Sequence, residues 1–498
     1  MNVNPITRLD YPDPDVIRVE DIYYMVSTTM HFMPGCEILQ SFDLVHWEHV
    51  TYVYETLDHT DAQQLKSGQN IYGQGMWAAS LRYHEGRFYI CFVANDTRKT
   101  YLYTSEKIDG PWKKQLIEGF YHDGSLLFDE DGRNYIVYGN DEIWITELNE
   151  DLTAPKKDGL HRLLVSDHKN PELGYEGSHI QKINGYYYIF LVHSLRDRWM
   201  RTEACFYSDS LEGEFTGGDV LCDDRGYCGQ GVAQGGIVDT PDGKWYAMLF
   251  QDSGAVGRIP ILLPVTWKDH FPVFGQNGHV PEEIEVHSTR PGYIYQPLVG
   301  SDDFCNGLLP RWQFNHDPDP RYYHLDALQG TYTITTREVC TELTQAVNTL
   351  TQRMSYPSCA AEVTVDASAL KEGDVAGLCA LQSCYAAVGI TKHHGKYEVL
   401  MLDKKEDGIL DMTEGTVIES HQMDFRLEAD FCNMKDEARC YYRVNKGDWL
   451  PIGTVHKLYF KLDHFTGCRF GLFCYAAEET GGSACFRDFK YYDVDEIS

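Results

Sequence analysis

Through residue 265, short apolar runs alternate with Gly, Asp and Asn turns, and the runs close on aromatic residues. One cassette recurs five times: a short apolar strand, a polar turn, then an aromatic strand ending in Tyr. The aromatic ends are Ile22-Tyr23-Tyr24, Arg87-Phe88-Tyr89, Arg133-Asn134-Tyr135, Tyr186-Tyr187-Tyr188 and Lys244-Trp245-Tyr246. Turns such as Glu85-Gly86, Asp131-Gly132, Asn184-Gly185 and Asp242-Gly243 precede them, which is the signature of β-hairpins rather than helices. The closing tyrosines are spaced by 65, 46, 53 and 58 residues. Self-similarity at such a period marks a propeller or a solenoid. A second repeat, Ser41-Phe42-Asp43-Leu44-Val45-His46-Trp47, Ser105 through Trp112 and Ser208 through Phe215, reads as the outer hairpin of each unit. Two hairpins make a four-stranded blade. The first half is therefore expected to be a five-bladed β-propeller, assigned to residues 1–298.

The pattern changes after Lys268. Pro, Gly and Asn accumulate as far as Gly300, with Phe271-Pro272 and Arg290-Pro291-Gly292, and this reads as a closing segment and linker. Beyond Asp302 short β-type runs return without the cassette, among them Ala361-Glu362-Val363-Thr364-Val365, Ala387-Val388-Gly389-Ile390 and Leu458-Tyr459-Phe460-Lys461-Leu462. Many short strands between turn signals suggest a β-sandwich, assigned to residues 299–498. The fold class is all-β.

The register of the cassette carries chemistry. Counting back eleven or twelve residues from each closing Tyr reaches Asp13, Ala78, Asp123, Glu176 and Gln234. In a propeller these positions converge on one mouth of the central channel, so Asp13, Asp123 and Glu176 are expected to face each other. Each acid alone reads as an ordinary turn residue, since Pro-Asp-Pro and Asp-Gly are common turn sequences. Three in one register argue for a task, because burying carboxylates is costly. Two acids across a pocket, one protonated and one ionised, suit glycoside hydrolysis. A third can set their pKa values apart. Three carboxylates also suit calcium. No phosphate-binding GK[ST] loop, dinucleotide fingerprint, G-x-S-x-G elbow or H-E-x-x-H helix occurs. Asp15 is an alternative base, Asp129-Glu130-Asp131 reads as a solvated turn, and His393-His394 as a turn pair rather than a metal site.

The formal net charge of −32 disfavours nucleic acid and anionic membranes as partners and favours solubility and a small neutral substrate, though a generally acidic bacterial-type surface is the preferred reading of it. The fifteen cysteines are scattered without paired spacing and read as small apolar fillers, reduced in the cytosol. Met1-Asn2-Val3-Asn4-Pro5 has no signal-peptide pattern, so a cytoplasmic location is expected. A homo-oligomer is left open.

These residues resemble glycoside hydrolase family 43, whose five-bladed propeller enzymes include β-xylosidases and α-L-arabinofuranosidases. Tyr11-Pro12-Asp13-Pro14-Asp15-Val16-Ile17-Arg18 resembles the family's first-blade motif, His122-Asp123-Gly124-Ser125 that of the pKa-modulating Asp, and Tyr175-Glu176-Gly177-Ser178 that of the general acid. The resemblance implies Asp13 as base, Asp123 as modulator and Glu176 as proton donor. Trp77-Ala78-Ala79 is similar to a Trp-Ala-Pro motif with Ala79 in place of Pro, and Gly257-Arg258 resembles the position of an Arg that holds sugar hydroxyls. Trp77, Phe32, Gln234 and Arg258 are the implied substrate-binding residues, with Met30 left to packing. Trp312 through Asp319 and Asn348 through Arg353 are similar to the concanavalin A-like sandwich of the xylosidase branch, which helps close the pocket. An inverting exo-glycosidase acting on short oligosaccharides with terminal xylosyl or arabinofuranosyl units is implied. The alternatives are a retaining fructan-type hydrolase, for which no Arg-Asp-Pro motif is present, and a non-catalytic carbohydrate-binding protein. Gln234 stands where many members carry His beside an axial metal. Its amide oxygen is a weaker ligand, so no cofactor is expected to be required and calcium on the axis is the one candidate.

Overall fold

The computed structural model describes residues 2–493, so Met1 and 494–498 of the two expected domains lie outside it. Five four-stranded antiparallel meanders follow one another along the chain. They begin with Asp15–Val19, Met76–His84, Ser125–Phe128, Glu176–Ile183 and Ala233–Asp239, and the cassette's aromatic strands come second in each. The five first strands touch their neighbours in a closed ring, which makes the sheets blades around one axis. Tyr24, Tyr135, Tyr188 and Tyr246 are buried and Tyr89 is half-buried, so the aromatic repeat fills the space within and between blades. The Ser41, Ser105 and Ser208 segments are the turns from third to fourth strands.

Among the described residues no strand is shared between the first and last blades. Asn4 closes the ring instead, its side chain donating to the Leu262 carbonyl at 2.7 Å and accepting from the Leu262 amide at 3.1 Å. The Pro- and Gly-rich segment then runs back over blade one, where the Thr289 amide bonds the Phe42 carbonyl and the Tyr293 ring packs on Phe42.

The C-terminal half is two stacked sheets around a core that includes Val363, Phe425, Leu427, Leu378, Val388 and Phe470. One sheet has seven strands; the other has nine, and its edge strand, Phe32–Met33, comes from the propeller. Phe314 pairs with Met33 and Asn315 with Phe32. Ala255, Val256 and Ile259 of blade five also enter the sandwich core. Strand pairing and apolar packing thus both join the two halves.

Candidate functional site

Strand pairing corrects the register by one residue. Four residues after the equivalent position, each first strand pairs with the closing Tyr of its cassette: Ile17, Arg82, Leu127, Gln181 and Val238. The equivalent positions are therefore Asp13, Ala78, Asp123, Gly177 and Gln234, and Glu176 stands one step before its slot. All five have left-handed backbone, with φ of 52°, 35°, 48°, 66° and 63°. Such conformations are costly for most side chains and cluster where strain serves a site. Gly177 meets a further demand, since a Cβ there would lie 2.7 Å from Gln234 Cγ. The kink turns three slot amides toward side-chain acceptors: Ala78 N to Thr28 Oγ1 at 2.8 Å, Gly177 N to Asp123 Oδ2 at 3.0 Å, and Gln234 N to Glu203 Oε2 at 2.7 Å.

Asp13, Asp123 and Glu176 come together at the mouth. Arg258 Nη1 donates to Asp13 Oδ1 at 2.6 Å, and Thr28 Oγ1 donates to Asp13 Oδ2 at 2.6 Å. Arg258 is also held by Asp252 through Nε at 3.2 Å, and Asp252 in turn pairs with Arg201. Arg258 is therefore ion-paired with the candidate base. Asn140 Nδ2 donates to Glu176 Oε2 at 2.8 Å. His122 Nε2 stands between the other two acids, 3.5 Å from Asp123 Oδ2 and 3.5 Å from Glu176 Oε2.

Electrostatics divide the acids. Asp123 is buried; desolvation, helped by the charges of Glu176 and Asp13, pushes its carboxyl up to about 6 against the pull of His122 and the Gly177 amide. His122 loses stability as a cation through burial, but Asp123, Glu176 and Asp13 outweigh that and raise its pKa to about 9. Glu176 is also desolvated, yet the hydrogen bond and charge of His122, with Arg201 and Arg258, hold it below the usual carboxylate range. These opposite shifts favour a cationic His122 beside an ionised Glu176.

Asp15 is excluded as the base. Arg82 Nη1 at 2.8 Å and the Leu81 amide at 2.7 Å take one oxygen, and His179 Nδ1 at 3.1 Å takes the other. Burial disfavours its charge, but Arg82 and His179 outweigh this and hold its pKa at about 2. It ties the blades together below the site.

The sandwich supplies the remaining wall. The Phe465 ring lies 3.7 Å from the Arg258 guanidinium and 5.1 Å, centroid to centroid, from Trp77, which also faces His122 at 6.4 Å. Trp77 is half-buried there. Phe32 is elsewhere, which corrects its expected role as a sugar-stacking residue. It is 2% exposed, sits on the strand joined to the sandwich, and is covered at 3.5 Å by the Arg469 guanidinium, which leaves no face for a ligand. Met30 is fully buried against Met76 and Thr466, as packing requires. Thr28, Asn140, Arg201 and Asp252 escaped the sequence reading. They lie at or beside the ends of second and third strands, at different offsets from the closing Tyr of their cassettes, so no single register would have found them. Phe465 had no signal.

His122, Asp123 and Glu176 offer ligand atoms within 4.8 Å of one another and could hold a cation.

A model of glycosyl hydrolases family 43 matches residues 3–272, and one of the beta xylosidase C-terminal concanavalin A-like domain matches 301–492. The chain is 26% identical to a beta-xylosidase of Formosa agariphila, covering 99% of this chain and 89% of that protein. It is 24% identical to a non-reducing end alpha-L-arabinofuranosidase of Bacteroides ovatus, covering 82% and 79%. A solved structure of a bifunctional GH43-CE protein of Bacteroides eggerthii superposes with a TM-score of 0.92 at 42% identity, covering 100% of this chain and 64% of that one. The propeller, the sandwich and both family matches lead to one statement: the chain belongs to glycosyl hydrolases family 43.

Proposed function

We propose that the protein is an inverting exo-glycosidase that removes terminal β-D-xylosyl or α-L-arabinofuranosyl units from xylan- or arabinan-derived oligosaccharides in the cytosol. The observation that carries this reading is the placement of Asp13 and Glu176 on different blades at one mouth, with Asp123 and His122 beside Glu176. Asp13 is the base: Arg258 and Thr28 orient its carboxylate and leave each oxygen a further lone pair for water. Glu176 is the acid and gives its proton to the glycosidic oxygen as the bond to the anomeric carbon breaks. Water, losing a proton to Asp13, bonds to that carbon from the opposite face, so the configuration inverts. Inversion needs the two carboxyls roughly 6.5–9.5 Å apart, and retention about 5–5.5 Å. Asp123 tunes the pair by its charge. His122 stores the proton that Glu176 must regain after each turnover. No step needs a cofactor. Trp77, with Phe465 packed behind it, forms an aromatic wall for the sugar, and closure of the mouth by the sandwich favours a chain end over an internal unit. The names of the xylosidase and arabinofuranosidase relatives support the pentose preference.

The test is turnover of nitrophenyl β-D-xyloside and nitrophenyl α-L-arabinofuranoside, with Glu176→Ala as control. Release of nitrophenol from at least one, lost in the variant, is expected. Activity on neither, or full activity in Glu176→Ala, defeats the reading.

A further inference from the structure

The outer face of the seven-stranded sheet carries a groove of about 640 Å³, remote from the sheet that joins the propeller. Alternation along the strands builds it. Val363, Val365, Phe425 and Phe486 point into the core and are at most 1% exposed, so their neighbours in sequence face outward. Directly paired residues form a row across four strands: Arg487, Thr364, Asp424 and Arg443. Thr364 Oγ1 donates to Asp424 Oδ1 at 2.6 Å, and Arg443 Nε donates to Asp424 Oδ2 at 2.8 Å. In the next row Lys490 flanks Glu362, which takes Arg426 at 2.7 Å.

Arg443 and Arg426 are thus satisfied, but Arg487 is not. Its Nε is buried and has no hydrogen-bond partner, and among the described residues no carboxylate pairs with Arg487, Lys490 or Lys446. All three line the groove. A buried unsatisfied donor is costly and calls for a partner. A β-bulge with Asp488 in left-handed conformation (φ 54°) separates Arg487 from Lys490 and sets their spacing. Bulges often re-aim side chains beside binding sites. Asp488 itself lies on the rim. In a chain of net charge −32, a groove with three unpaired cations is a local reversal of sign, suited to an anion that the rest of the surface repels. Gln422 and Asn445, on the same walls, bring amides that both donate and accept, as sugar hydroxyls require.

We infer that this groove is a second carbohydrate site, binding a uronic-acid-bearing segment of the pentose polymer, with the carboxylate on Arg487, Lys490 and Lys446. The choice of polymer rests on the proposed function. Asp13→Asn protein, which would not consume the probes, is titrated calorimetrically with xylotriose and with glucuronic acid-substituted xylotriose. The acidic probe is expected to bind at least tenfold more tightly. Adding Arg487→Glu is expected to abolish that preference and leave the neutral probe unchanged, and Arg487→Glu alone should keep wild-type nitrophenyl pentoside turnover. Equal affinity for the two probes, or a preference that survives Arg487→Glu, overturns the inference. Failure of the pocket reading is separate: wild-type protein would turn over neither nitrophenyl pentoside, whatever the probes do in the groove.

Discussion

The Arg258 guanidinium of blade five lies 3.7 Å from the centroid of the Phe465 ring of the sandwich. Asp10 fixes that contact. Its Oδ1 accepts the Arg258 amide at 2.7 Å, and its Oδ2 accepts the Gly467 amide at 2.8 Å. The two backbones approach so closely that a Cβ on Gly467 would lie 2.0 Å from the Val256 carbonyl oxygen. One buried carboxylate therefore positions both a residue paired to Asp13 and the aromatic ring over it, and the catalytic mouth is shared between the two halves of the molecule.

Phe465→Leu keeps most of the apolar volume and loses the π face. A desolvated cation–π contact is worth about 1–2 kcal/mol. The expected result is a fall of about tenfold in kcat/KM on nitrophenyl pentosides together with a stability loss of about 1–2 kcal/mol, measured by initial rates and denaturant unfolding.

Asp13→Asn and Glu176→Gln each remove one proton transfer. Rates should drop at least about a hundredfold in either variant. Proton NMR of wild-type turnover should show the opposite anomer first; a retained first product would falsify Asp13 as a base.

His122→Gln removes the cation that holds Glu176 low. With its pKa raised to about 9, His122 keeps the trio's proton up to that pH and loses it above. Wild-type kcat/KM should therefore decline on the alkaline side near pH 9. In the variant the highest pKa left in the trio is that of a carboxyl, so the alkaline limb should move down by more than one pH unit. A residue that only packs would lower the rate without moving the limb.

Glu37→Gln leaves Arg353 buried without its partner at 2.8 Å, which should cost about 3 kcal/mol in denaturant unfolding. Burial opposes the Glu37 charge, but Arg353 and His49 outweigh it and depress its pKa to about 2 from 4.5. A depressed carboxylate stabilises the fold above the unfolded-state pKa and loses that effect as pH falls through the folded one. Wild type should therefore lose stability between about pH 4.5 and 2, and the variant should lose less over that window.

Dialysis against EDTA should change turnover less than about twofold, because no step of the proposed mechanism passes through a metal and Gln234 is a weak ligand. A loss restored by calcium alone would show that the axis holds a required ion.

The hairpin cassette made the propeller legible. Alternation and turn dipeptides dictate each blade locally, and the count of five follows from repetition. The C-terminal strands were legible as a sandwich for the same reason. The acids were found because Asp13 and Asp123 occupy equivalent slots. Glu176 was found one residue off register, since Gly177 takes the slot and no sequence rule counts a left-handed kink. Phe32 shows the opposite failure. An aromatic beside the first blade reads as a sugar platform, but its environment is set by Arg469, more than 400 residues further along the chain.

By itself, the sequence determined the hairpins, their number and the chemical types at the mouth, because strand periodicity and turn preference act over a few residues. Only the tertiary structure decided that His122 stands between two acids, that Arg258 pairs with Asp13, and that Phe465 closes the wall. Those contacts depend on ring closure of the blades and on docking of the sandwich, and no local pattern encodes distances between residues joined by folding alone.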